Sequence, residues 1–350
     1  MLFFSVSVLT YVFSLCDYIQ SKKYKQPFLF CLVALLVAFS GFRGLSWDSF
    51  YSWDTNHYVG FFNDLKPFES PAGSDFGYYI INSLVKLVTD NYRVLLLLMS
   101  FITLLLVAKS ITRYTNRWFF ALLAYVSLFY YVRDFGQIRA SLAYALVLFG
   151  LRYVHEQRFL KYLFIIAIAT TIHASAILGL GIYFFPRIKF KNWHLYGLLF
   201  FSLALYFIST TGLWLTVIDI LGEGFFLGRM NAYLVTASKS ISLDAKRLFY
   251  YAFAFAGVFF RKRLLKTDEF FDTKLYSVIF GLILTAMLRE IEVLAVRIPE
   301  IYLTMLIFVI PAIAQVSRNK FLQAFSHHVI TFVLLIYNIA MLFSLQGLVY

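Results

Sequence analysis

The sequence predicts an all-α membrane protein, a polytopic transmembrane helical bundle of about ten to twelve spans. Three observations carry this. Hydrophobic residues make up 61% of the chain and charged residues 14%, and the mean hydropathy is +0.77. A soluble domain is about half apolar and about a quarter charged. The apolar residues gather in stretches approaching membrane length, and the basic residues behind the net charge of +13 fall in short runs between them.

A helix needs about 20 apolar residues to cross a bilayer, with about 17 as a lower bound. The candidate stretches are 2–16, 27–42, 94–112, 118–132, 140–154, 162–185, 195–211, 248–260, 275–288, 301–316 and 329–345. The first lacks a basic leader and a small-residue cleavage site, so it reads as a retained span. Basic clusters orient the set. Lys22, Lys23 and Lys25 follow the first stretch, Arg113 and Arg117 the third, and Arg158 and Lys161 the fifth. Arg187, Lys189 and Lys191 follow the sixth, Arg261, Lys262, Arg263 and Lys266 the eighth, and Arg318 and Lys320 the tenth. Assigned to the cytoplasm, they put the N-terminus outside.

The alternation fails at one place. Lys161 and Arg187 both belong inside, yet one apolar stretch of roughly 24 residues separates them, long for one span and short for two. His173 sits near its middle, in Thr171-Ile172-His173-Ala174-Ser175. Two half-helices meeting at His173, or one broken helix, are expected there. Irregular backbone at membrane depth is tolerated only where it lines a cavity or packs inside protein. The outer loops then fall at 43–93, 133–139, 212–247 and 289–300, the first carrying short interfacial helices. No internal repeat is visible, and residues 1–350 read as one integral membrane domain.

Several function classes drop out. No basic strip with interleaved aromatics faces one side of a soluble domain, so nucleic acid is not an expected partner. Cys16 and Cys31 lie in apolar stretches and read as small core residues rather than a disulfide or metal pair. There is no P-loop, no nucleotide-binding glycine fingerprint, no zinc spacing and no Gly-x-Ser-x-Gly elbow. A nucleotide-powered transporter and a nucleotide-sugar enzyme are therefore disfavoured. No cofactor and no metal are expected, and any group donor should be lipid-linked.

Ionisable groups near membrane depth are costly and mark function by default. The outer set is Arg43, Asp48, Asp54, Asp75, Arg133, Asp134, Arg139, Arg229, Arg247, Arg289, Glu290, Glu292, Arg297 and Glu300, with His173. Its cations are arginines, whereas lysines are prominent in the cytoplasmic runs. A guanidinium presents a planar fork that binds phosphate bidentately and tolerates partial burial. Several of them beside lipid suit a membrane-anchored phosphate or diphosphate. Each also has a structural reading. Arg133 with Asp134, and Arg289 with Glu292, read as ion pairs, Arg43 as a snorkelling span end, and His173 as a helix–helix contact. The aromatic 20% serves mostly as lipid-facing surface and interfacial belt. Among Trp47, Trp53, Tyr58, Tyr78 and Tyr79, some can stack on sugar faces.

Five short motifs resemble the EpsG-like branch of Wzy-type polysaccharide polymerases. Arg43-Gly44 followed by Asp54-Thr55-Asn56-His57-Tyr58 resembles an Arg leaving a span, then Asp-Thr-x-x-Tyr. Trp47 and Asp48 are among the extra residues in between. Asp75-Phe76-Gly77-Tyr78-Tyr79 stands where that family more often has Glu-x-Gly-Phe. Gln137-Ile138-Arg139-Ala140-Ser141-Leu142-Ala143 resembles its Arg-x-x-Leu-Ala at a helix start. Ala169-Thr170-Thr171-Ile172-His173-Ala174-Ser175-Ala176 resembles its Ala-x-x-x-His-x-Ser-Ala. Arg297-Ile298-Pro299-Glu300-Ile301-Tyr302 resembles its Arg-Ile-x-x-Tyr-Phe. The resemblance runs from about Arg43 to Pro311.

What the resemblance implies is a glycosyltransferase at the outer, periplasmic face of a bacterial inner membrane. It would move a growing glycan from undecaprenyl diphosphate onto an undecaprenyl-diphosphate-linked repeat unit, building O-antigen of lipopolysaccharide, capsule or exopolysaccharide. A chain-length co-polymerase is the partner it implies. The leaving diphosphate needs preorganised cations, and the attacking hydroxyl benefits from a general base. Arg139, Arg297 and Arg43, then Arg133 and Arg289, are the diphosphate candidates. His173, Asp54 and Glu300 compete as catalytic base, and Asp48, Tyr58 and Asp75 are candidates for sugar binding. Two rivals remain at this point. An O-antigen ligase-like transferase shares the carrier and the outer arginines, and a flippase or transporter of lipid-linked oligosaccharide shares the carrier alone.

Overall fold

A computed structural model describes residues 2–18, 22–43, 54–69, 75–208 and 240–347. Among these every regular element is helical, as expected. Asp48 and Arg229, with Trp47 and Trp53, lie outside the described residues, as does most of the expected loop 212–247.

Helices cover the apolar stretches in order. Leu2–Leu15, Lys22–Gly41 and Tyr92–Tyr114 cover the first three, and Ile138–His155 and Ala245–Leu264 the fifth and eighth. Phe271–Met287 and Lys320–Gly347 cover the ninth and the last. The loop 43–93 carries the short helices Thr55–Asp64 and Phe76–Lys86. Among the described residues, however, only Lys23–Gly41, Tyr92–Tyr114 and Lys320–Phe343 are long and apolar enough, by length and composition, to cross a membrane unaided. A fourth is added if Glu292–Leu303 and Leu306–Ala314, bent by 53°, count as one broken span. The expected ten to twelve passes are thus not all continuous apolar helices. Several stretches are interrupted or short, and others carry charge within the helix. Arg139 and Arg152 lie inside Ile138–His155, and five basic residues inside Ala245–Leu264.

The expected break at His173 is present. The helix Phe159–Ile172 stops there, His173 is extended (φ −151°, ψ 114°), and the chain resumes as a 3₁₀ helix over Ala174–Arg187. A second irregularity lies in the stretch 118–132. The helix Trp118–Tyr125 passes through a π turn, Val126–Tyr130, into Tyr131–Gly136. Such turns recur at functional sites, because the extra residue re-aims the side chains after it. Here those are Arg133 and Asp134.

The described residues cluster into two compact units, 1–183 with 310–350, and 184–309. In the first, Lys22–Gly41 lies against Tyr92–Tyr114. A side chain at Gly41 would collide with the backbone of Leu97 at 2.8 Å. Tyr162 caps the return of the 3₁₀ segment by donating to the Gly179 carbonyl at 2.6 Å. Asp17 closes the turn between the first two helices. Its carboxylate accepts from the Phe119 and Phe120 amides at 3.3 and 2.7 Å and pairs with Lys25 at 3.4 Å.

In the second unit, Ile241, Leu288, Ala295 and Ile298 form an apolar cluster. Arg261 ties several elements together. It forks onto Asp272 at 2.6 Å through two nitrogens, and also donates to the Phe190 carbonyl and the Tyr276 hydroxyl. A planar guanidinium with five donors suits this many-armed contact.

Candidate functional site

Three sequence motifs converge in the first unit, each at a helix end. Asp75 precedes the helix Phe76–Lys86, Arg139 lies in the first turn of Ile138–His155, and His173 ends Phe159–Ile172. Arg139 Nη1 donates to Asp75 Oδ2 at 3.1 Å, and His173 Nδ1 stands 3.9 Å from the same oxygen. The side chains of Arg139, Asp75 and His173 keep 34%, 22% and 19% of their exposure, so the cluster is sheltered yet reachable.

Local chemistry explains the arrangement. An Asp at an N-cap ordinarily accepts from the first free amides of its helix. Asp75 makes no such bond, so its carboxylate is left for Arg139. Gly77, two residues on, lets the helix press against Thr171. A Cβ there would overlap the Thr171 hydroxyl and sit 3.0 Å from its carbonyl carbon. That close approach brings Asp75 to the helix end at His173.

Two tyrosines hold Arg139 from the other side. Its guanidinium lies 5.5 Å from the ring centres of both Tyr58 and Tyr78, which meet edge to face at 5.9 Å. Each such contact is worth about 0.5–2 kcal/mol. Burial works against the charge of Arg139, but the Tyr58 phenol and the Asp75 carboxylate outweigh it and raise the guanidinium above its ordinary value. Burial pushes the Tyr78 phenol up as well, so it stays neutral. Tyr144 presents its ring edge to His173 at 6.0 Å and shares a hydroxyl bond with Ser175 at 2.9 Å.

The other expected residues are placed differently. Arg43 is 1% exposed. It donates to the carbonyls of Ser40 and Asp134 and to the Thr55 hydroxyl, while Phe135 lies against its guanidinium. Its snorkelling alternative does not hold, since a snorkelling head stays in water. Arg133, also 1% exposed, is stacked between Phe129 at 4.2 Å and Tyr144 at 5.2 Å. Its neighbour Asp134 accepts from Tyr125 at 2.8 Å. Asp54 occupies the N-cap of Thr55–Asp64 without a side-chain cap bond, and its carbonyl accepts the Tyr58 amide. Tyr58 is 5% exposed, its ring turned to Tyr78 and Arg139.

Arg289, Arg297 and Glu300 belong to the second unit. Arg289 donates to Glu290 and to the Ile208 carbonyl, both at 3.2 Å; Glu292 was the partner expected for it. Arg297 ends the helix Glu292–Arg297. Glu300 is 4% exposed and lines a cleft with Lys246, Arg247, Tyr250 and Thr285. Among the described residues no group of three or more His, Cys, Asp or Glu side chains is placed to hold a metal ion.

Sequence reasoning leaves Gly77, Tyr144 and Lys246 out of the candidate set. For Gly77 a signal exists, a glycine two residues after a carboxylate at a helix start. For Tyr144 and Lys246 there is none, because the contact of Tyr144 with His173 and the place of Lys246 beside Glu300 in the cleft depend on neighbours distant in sequence.

Apolar helices of membrane length and a sheltered Arg–Asp–His cluster define an all-α membrane protein with a polar site. The sequence comparison is then specific. The chain belongs to the EpsG family, whose profile matches residues 26–348. That membership places it among polysaccharide polymerase-like membrane proteins. Neither the curated proteins nor the solved structures give a match.

Proposed function

We propose that this protein polymerises a bacterial polysaccharide at the outer face of the inner membrane. The donor is a glycan on undecaprenyl diphosphate and the acceptor a repeat unit on the same carrier. The product is O-antigen, capsule or exopolysaccharide, and a chain-length co-polymerase is the partner. The observation that supports this reading is the Arg139–Asp75–His173 cluster, which brings a guanidinium and an imidazole to one carboxylate.

In the reaction, the acceptor hydroxyl oxygen bonds to the anomeric carbon of the donor glycan. The bond from that carbon to the diphosphate oxygen breaks, and its electron pair leaves on undecaprenyl diphosphate. His173 takes the hydroxyl proton as general base. Arg139 meets the charge that grows on the diphosphate. Arg43 and Arg133, buried and engaged, hold the frame in this reading. Arg289, Arg297 and Glu300 supply polar groups of the second unit, where a second lipid diphosphate calls for its own cations.

The test is the surface polysaccharide of a deletion strain, complemented with wild type or Arg139→Ala and run on a gel. A ladder that collapses to one repeat unit and is restored only by wild type is the expected result. Loss of all glycan from the lipid core indicates a ligase instead. Unchanged chain length with lipid-linked units accumulating inside the cell indicates transport.

A further inference from the structure

We infer that Asp75 is the positioning residue of His173, and that a diphosphate arriving on Arg139 hands its carboxylate over. This rests on the polymerase reading above. One oxygen, Asp75 Oδ2, serves two cationic or proton-bearing neighbours, Arg139 Nη1 at 3.1 Å and His173 Nδ1 at 3.9 Å. The first distance is a hydrogen bond and the second is about 0.7 Å beyond the range of one. His173 Nδ1 is buried with no hydrogen-bond partner, and so is Arg139 Nε. Both groups flanking the carboxylate therefore have unused hydrogen-bonding capacity in a sheltered place, where leaving it unused is costly.

A diphosphate resolves both. It offers a guanidinium two oxygens in fork geometry, a stronger match than the single carboxylate contact Arg139 now makes. Tyr58 and Tyr78 keep the guanidinium in place while its partner changes. Asp75, which makes no cap bond with its own helix, then has His173 Nδ1 as its near donor. Accepting from Nδ1–H fixes the imidazole tautomer and leaves Nε2 bare, the form that takes a proton from a hydroxyl. Tyr144, whose hydroxyl is shared with Ser175, keeps the ring from turning away. The base is armed only when the leaving group is in place, so an idle site does not activate water.

The experiment uses full-length protein in detergent micelles, labelled with ¹⁵N-histidine, with undecaprenyl diphosphate as the probe. The His173 signals are identified by their loss in His173→Gln, and carrier binding is followed separately by calorimetry. On saturation the wild-type His173 should shift to the Nδ1–H tautomer. Asp75→Asn should bind the carrier without that shift, and Asp75→Glu, which keeps the carboxylate, should retain it. If the carrier binds and the tautomer does not change, or changes equally in Asp75→Asn, the positioning role is overturned and the polymerase reading stands. If wild type does not bind the carrier, or Arg139→Ala binds it as tightly, both fall.

Discussion

Replacing Gly77 by alanine tests the packing that assembles the site without touching any of its charged groups. The added Cβ would overlap the Thr171 hydroxyl and lie 3.0 Å from both the Thr171 carbonyl carbon and its Cβ. Carbon atoms settle at about 3.5–4.0 Å, so the start of the helix Phe76–Lys86 must retreat by about 0.5–1 Å. Overpacking of this kind costs about 1–3 kcal/mol. Asp75 rides on the same helix end. A retreat along its line to Arg139 stretches the 3.1 Å bond to about 3.6–4.1 Å, past hydrogen-bonding range. The distance to His173, already 3.9 Å, widens with it. The assay is the polysaccharide ladder of a complemented deletion strain, with protein level by immunoblot and melting of the purified protein. A shortened or absent ladder is expected from protein that still reaches the membrane and melts a few degrees lower. Thr171→Ala in the same chain should restore part of the ladder, since it removes the hydroxyl but not the 3.0 Å contacts. Wild-type chain lengths in Gly77→Ala would refute the claim that this approach sets the Asp75–His173 geometry.

Other outcomes follow from the same structure. Arg139→Lys keeps the charge but loses the fork and the flat face against Tyr58 and Tyr78, so polymer length should fall nearly as far as in Arg139→Ala on the same gel. Asp17→Ala strips the Phe119 and Phe120 amides and Lys25 of a buried acceptor, a loss of about 3–5 kcal/mol. Thermal melting should show it, while activity per folded molecule stays near wild type. Arg261→Lys cannot reproduce both 2.6 Å contacts to Asp272 and should cost about 1.5–3 kcal/mol, read as reduced resistance to heat in detergent. Tyr162→Phe removes the bond to the Gly179 carbonyl and should cost about 0.5–1.5 kcal/mol. Limited proteolysis should then cut the 3₁₀ segment sooner.

The break at His173 is legible in the residues alone, because a polar residue in an apolar stretch of awkward length leaves few alternatives. The convergence of its motif with those of Asp75 and Arg139 is not. Asp75 and Arg139 lie 64 positions apart, and by sequence Asp75 reads as a sugar ligand. What redirects it is a cap bond not made and a glycine that admits Thr171. The arginines diverge for a related reason. Arg43, Arg133 and Arg139 all stand at the edge of apolar stretches, and by sequence all three are diphosphate candidates, Arg139 and Arg43 ahead of Arg133. Exposure depends on what packs around each. Carbonyls and a hydroxyl close over Arg43 and aromatic rings over Arg133, while Arg139 keeps an open side.

Sequence by itself determined that this chain is helical and lives in lipid, because so large an apolar fraction has no soluble solution. It also marked which polar residues lipid would not have tolerated without cause. Tertiary structure alone decided which of those residues meet. Side-chain partnership is set at the scale of a hydrogen bond, by the close approach of helices far apart in sequence, and no local pattern of residue types carries that distance.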